Sequence, residues 1–476
     1  MRNVHCAILP GWRGLIAVTL YLSTAAAVAA THYELNYEPA AEQMRVQLCI
    51  DTAAIQQEFR LHRGGAAHVE GLKREHGTIE RSGEARWRAA DWRAGECLSY
   101  VARIGLVADS RDRDIGSRIG DTLLVAPQQW LLRSGSDEDE APRVSVNLPP
   151  GYRFSPPWPS SASGAAPAYR ITPTPFAWSA LVAVGRFHEV SMALPGGEVR
   201  LALLGTLTAA QRETLQQWIR RALTAAASGY GELPLAQTQV VLLPGRTPGR
   251  AVGFGQSLRG QGNAVHLWVD PAATPAQLDS DWTAVHEFAH WAHPYLGDDG
   301  AWLSEGLASY WQNVLRARGG LLTAQQAWQQ LDAGFARGRR TAATDLGLTE
   351  LSDVMHARRA YYAVYWAGAA YWLDVDVSLR RASGGVLSVD EALKRFHACC
   401  LLRKRAWDAA EFVAKLDALI GSEVFVSRYR AYAARRGFPP LDGLYQELGL
   451  QHETDGSLSL VDAPQAAVRD AIMGRR

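Results

Sequence analysis

Three histidines and two glutamates stand within residues 286–311, "HEFAHWAHPYLGDDGAWLSEGLASYW", in surroundings otherwise rich in tryptophan, alanine and leucine. On a helix, residues four apart lie one turn above each other on a single face. His286 and His290 therefore present two imidazoles in one direction. Glu287 falls about a hundred degrees round the same turn, near a shared ligand but not aimed to bind it. His-Glu-x-x-His at this spacing is the pattern of two zinc-holding imidazoles with the glutamate as general base. A catalytic zinc takes three protein ligands and keeps a fourth position for water. Glu305, 15 residues beyond His290, is the expected third ligand, enough for a loop and a return helix. Gly306 behind it lets two helices approach closely. Ser309, one turn further, is expected to hydrogen-bond a ligating imidazole. His293 is a weaker rival to Glu305, because consecutive turns of one helix do not wrap a tetrahedral ion. The cofactor expected is one Zn2+ per chain.

Several elements must position these groups. Ser280 or Asp279 is expected to cap the metal helix, and Pro294 to end it. Residues 31–180 read as β structure: "MRVQLCI", "CLSYVARI", "DTLLVA" and "RVSVNL" are short alternating or β-branched runs between turn residues. "GSDEDEAP" and "SPPWPSSASGAAPA" read as surface loops. Then "EVRLALLG", "TQVVLL" and "NAVHLWVD" read as strands around a helix opened by Thr208 with Gln211, a capping box. Beyond Asp281 the chain reads as helix almost throughout. The expected class is α+β multidomain: a β-sandwich-like domain (31–180), an α/β catalytic region (181–315), a helical bundle completing the site (316–450), and a tail (451–476).

The 476 residues hold 49 basic and 48 acidic side chains, a formal charge of +1, with 47% hydrophobic and 20% charged residues. No global field draws such a chain to nucleic acid or an anionic membrane. Residues 1–30 have the layout of a cleaved signal peptide: arginines, the apolar run "LIAVTLYLSTAAAVAA" and small residues before "THYELNYEP". No later run is long enough to span a bilayer, so an exported protein, periplasmic or secreted, is expected. Cys49 and Cys97 form either a disulfide or two buried thiols, and Cys399 and Cys400 are adjacent.

With "HEFAH" followed by "WLSEGLASYW", the chain resembles the gluzincin metallopeptidases, in particular the aminopeptidase N and glycyl aminopeptidase branches. "YYAVYWAGAAYWLDVDVSL" is similar to the segment where those enzymes carry Tyr-x-x-Gly before a long helix, and Tyr365 with Gly368 matches it. The resemblance implies a thermolysin-like catalytic core and a transition-state role for Tyr365, with Tyr361 and Tyr362 as lesser alternatives. It also implies a substrate edge in "GFGQS", where Gly253 and Gly255 let a peptide lie against the strand. Gln256 stands there in place of the glutamate that holds a substrate's ammonium in that family, and an amide cannot neutralise an ammonium. The expected activity is hydrolysis of peptide bonds in peptides or proteins. Two alternatives stay open, a zinc hydrolase of small amides or esters and a catalytically silent zinc-containing binding protein.

Overall fold

The computed structural model describes residues 31–134, 141–161, 167–172, 180–260, 262–402 and 405–474; the expected signal peptide lies outside them. The architecture is α+β in three parts. In the front part, a six-stranded sheet built on Thr31–Glu38 and Gln43–Ile50 faces a four-stranded sheet built on Ala54–Arg60 and Arg86–Trp92. Strict alternation drives this packing: Tyr33, Leu35 and Tyr37 point inward from one sheet and meet Phe59, Trp87 and Trp92 from the other. Cys49 lies opposite Cys97 in antiparallel register, and the two form a disulfide.

A second sheet system supports the helix that holds His286 and His290. Five strands run in the order His188–Leu194, Gly197–Leu203, Gln237–Pro244, Ala264–Val269 and Val252–Leu258. The three in the middle are mutually parallel, and Val252–Leu258 forms an antiparallel edge. Gln237–Pro244 is buried along nearly its whole length, as a strand covered on both faces must be. One face packs Val240 and Leu242 against the helices. The other packs Val241 and Leu243 against Leu124, Leu181 and Phe187 of the front part. The front domain thus covers the second face of this sheet.

Helices fill the rest of the described chain. The Thr208–Gln211 capping box opens Ala209–Ala227, and Thr323 with Gln326 opens Ala324–Arg340 in the same way. The metal helix, Thr283–Ala289, starts differently from expectation. Its first amide, Thr283 N, donates to Asp281 Oδ1 at 2.8 Å, whereas Asp279 and Ser280 offer their carbonyls to the buried Arg316. The expected cap is displaced because Thr274 and Gln277 open a separate short helix over Pro275–Ser280. A 3-10 turn, His290–Ala292, follows the metal helix, and His293 is extended before Pro294 as proline requires of its predecessor. The helix Ala301–Arg318 then returns and crosses Tyr361–Ser383 at two glycines. A Cβ on Gly368 would fall 1.8 Å from Trp302 O, and one on Gly306 would fall 2.5 Å from the Gly368 carbonyl carbon. Residues 450–474 add a small hairpin, Leu450–His452 with Leu458–Leu460, and the helix Ala466–Ile472. Cys399 and Cys400 are joined to each other. No helix among the described residues is long and apolar enough to cross a membrane.

Candidate metal centre

The edge strand brings Gly253 to Ser257 alongside the metal helix. A Cβ on Gly255 would sit 2.6 Å from Thr283 Cγ2 and 2.8 Å from Glu287 Cγ. Glycine's missing side chain is what admits that approach. The Glu287 carboxylate accepts from the Ser257 backbone amide, and burial pushes its carboxyl up to about 7. A carboxyl in that range is a competent proton acceptor and donor near neutral pH.

The imidazoles are set by groups behind them. His293 Nδ1 lies 2.7 Å from the Pro294 carbonyl, which can only accept, so Nδ1 carries the proton. Its Nε2 must then accept from His290 Nδ1, 3.1 Å away. His290 is thereby left with a lone pair on Nε2, and burial holds this ring well below the ordinary histidine range, hence neutral. Across the site, Gln312 Oε1 lies 2.9 Å from His286 Nδ1 and assigns that ring the same tautomer. Both free Nε2 atoms converge on one carboxylate: Glu305 Oε2 is 3.2 Å from His286 Nε2 and 3.7 Å from His290 Nε2. The ligand atoms of the three residues all lie within 4.8 Å of one another. Two imidazole nitrogens and a carboxylate oxygen, with the rings oriented from behind, fit a three-ligand zinc site.

The remaining expected residues fall around this centre. The Tyr365 hydroxyl hydrogen-bonds Glu305, its ring stacks on His286 at 6.4 Å, and burial with the Glu305 charge pushes the phenol well above its usual range. Tyr361 and Tyr362 are on the rim, 38% and 55% exposed, with the Tyr361 hydroxyl 3.2 Å from His356 Nδ1. Ser309 lines the cleft, but the side chain meeting an imidazole is Gln312. The difference is reach: Gln312 is one turn further along the same face, and its longer side chain spans the gap. His293, weighed only as a rival ligand, instead stands behind His290. Gln256 donates from Nε2 to Asp114 Oδ1 at 3.4 Å, so the front domain contributes a carboxylate beside the edge strand. No sequence signal connects positions so far apart. The three ligand residues, Glu287, Tyr365, Gln312 and Gln256 line a cleft of about 1200 Å³.

His293→Ala is expected to weaken zinc affinity by roughly 10- to 100-fold, the usual consequence of deleting a ligand's outer partner. Competition with a chelator of known affinity measures it; an unchanged constant would show that His290 needs no such support.

No protein-family model matches the chain, and no curated protein sequence matches it. Solved structures do match. An aminopeptidase N family protein from Idiomarina loihiensis superposes at a TM-score of 0.66 with 15% identity, over 91% of this chain and 81% of that one. The fold is that of zinc metallopeptidases of the aminopeptidase N type. An M1 zinc metallopeptidase from Deinococcus radiodurans agrees at a TM-score of 0.57 and 14% identity, over 87% and 94% of the two chains. Yeast LTA4 hydrolase in complex with bestatin gives 0.52 at 14% identity, over 89% and 71%. A form of the Deinococcus enzyme is bound to a Tyr-Ser-Ala substrate. These likenesses span the β-rich front as well as the catalytic and helical parts.

Proposed function

We propose that the chain is an exported zinc-dependent metallopeptidase that hydrolyses peptide bonds. The observation that carries this is the convergence of two Nε2 lone pairs on Glu305, with Glu287 held between that point and the glycine-lined edge strand. His286, His290 and Glu305 are the residues that would hold zinc. Bound there, zinc supplies a Lewis acid that polarises a carbonyl and lowers the pKa of water.

The protein's own groups do the rest. An extended peptide pairs with Val252–Leu258, the last strand of its sheet, and Gly253 and Gly255 let it approach without side-chain interference. Glu287 takes a proton from the attacking water and passes it to the leaving amine, its Ser257 hydrogen bond keeping the carboxylate oriented. The Tyr365 hydroxyl is the neutral donor for oxygen charge developing in the transition state. Ser309 and Gln312 form the wall behind His286, and Gln312 keeps its ring in register. For a substrate's free amine, Asp114 beside Gln256 is the carboxylate that supports an aminopeptidase preference. Export is supported by the leader-like composition of residues 1–30.

The test is metal analysis of the purified protein together with a library of free and N-blocked peptides. One zinc per chain, and loss of peptide cleavage on chelation with recovery on zinc addition, is the expected result. Absence of bound zinc would remove the scheme. Blocked peptides cut as fast as free ones would exclude the aminopeptidase preference and leave the peptidase.

A further inference from the structure

The cleft wall carries a guanidinium that the scheme above leaves unused. Arg259 follows the edge strand directly and lines the cleft with Glu287, His290, Tyr295 and Glu305. One of its nitrogens, Nη2, donates to the His290 carbonyl, which anchors the fork at the end of the metal helix. Among the described residues this is its sole hydrogen bond, and no carboxylate lies within ion-pair distance of it.

A guanidinium has five N–H donors in a rigid plane, and only Nη2 of this cleft-lining one has a hydrogen bond among the described residues. Holding a cation in a half-buried wall without an ion-pair partner is costly, and Arg259 is half-buried there. The nearest negative charges have other commitments. Glu305 belongs to the metal site, and Glu287 accepts from the Ser257 amide, neither of them forming an ion pair with Arg259. The other cleft arginines are spent on aromatic faces: Arg250 lies over Trp282 at 6.0 Å and Arg337 over Trp366 at 5.1 Å.

We infer that Arg259 is a specificity-determining residue that binds a substrate carboxylate placed about one residue from the scissile bond. Its planar donor pair suits a carboxylate held in bidentate fashion. The carboxylate can come from an acidic side chain flanking the bond or from the free terminus of a dipeptide, and the chemistry recognised is the same. This deepens the metallopeptidase reading and rests on it.

The experiment compares matched substrates: peptides with Glu or Gln flanking the bond, and dipeptides with a free or amidated terminus. Each pair is run on the wild type, Arg259→Gln and Arg259→Lys. The wild type is expected to favour at least one acidic member by roughly tenfold or more in kcat/KM, mainly through KM, the scale of a charge-assisted hydrogen bond. Whichever pair shows the preference identifies the source. In Arg259→Gln that ratio falls to near one, and Arg259→Lys keeps part of it. A ratio unchanged in Arg259→Gln, or absent from the wild type, overturns the proposal. Should Arg259→Gln not fold, calorimetric binding of the acid and amide dipeptides to the wild type decides it, equal affinities counting against. If the wild type cuts no peptide, the metallopeptidase reading has failed, and the same calorimetry still reads the carboxylate preference.

Discussion

Glu287→Gln is expected to keep its zinc and to lose about 10³-fold in kcat, within the range general acid–base catalysis contributes. The substitution is nearly isosteric, and its side-chain oxygen can still accept from the Ser257 amide. The tight contact with Gly255 is preserved as well. What disappears is the ability to take a proton from water and return it. Burial, which lifts the carboxyl to about 7, serves both halves of that task. Zinc stoichiometry and single-substrate kinetics on one preparation check the expectation. Turnover within tenfold of wild type would end the general-base assignment. A zinc-containing protein that only binds partners predicts no kinetic difference, because there would be no turnover to lose.

Gly368→Ala is expected to lower stability by about 3 kcal/mol and kcat/KM by about 100-fold, although it lies on a helix and touches no substrate. Helix propensity alone predicts a gain of about 1 kcal/mol from removing a mid-helix glycine. The contact geometry outweighs it, since the new Cβ would sit 1.8 Å from Trp302 O and 2.9 Å from Gly306 Cα. Backbone cannot yield as a flexible side chain can, so the two helices must separate. Glu305 rides on one of them and Tyr365 on the other. A shift of about an ångström between them misplaces both relative to the imidazoles, the scale of error that costs about 100-fold. The control is Gly443→Ala, at an exposed position of the helix Asp442–Leu448, where a Cβ meets nothing within 4 Å. That change is expected to be neutral or stabilising. Thermal melts with kinetics on both variants check the pair, and wild-type behaviour in Gly368→Ala would mean the crossing tolerates a wider gap.

What was legible in the sequence was local. The face shared by His286 and His290 follows from helical spacing, the Thr208 capping box from residues three apart, and the alternation of Thr31–Glu38 from the strand period of two. Even the need for a close helix crossing at Gly306 was readable, because a glycine beside a ligand has few other uses. The partner at that crossing, Gly368, and the depth of contact were not readable. The same holds for Gln312 in place of Ser309, for His293 behind His290, for Asp114 reaching Gln256 from the front domain, and for Arg259 facing the metal site. Each is a meeting of side chains from elements whose mutual angle and offset depend on the packing of the whole core. Periodicity states which way a residue faces along its own element; only the docking of one element on another decides what it faces.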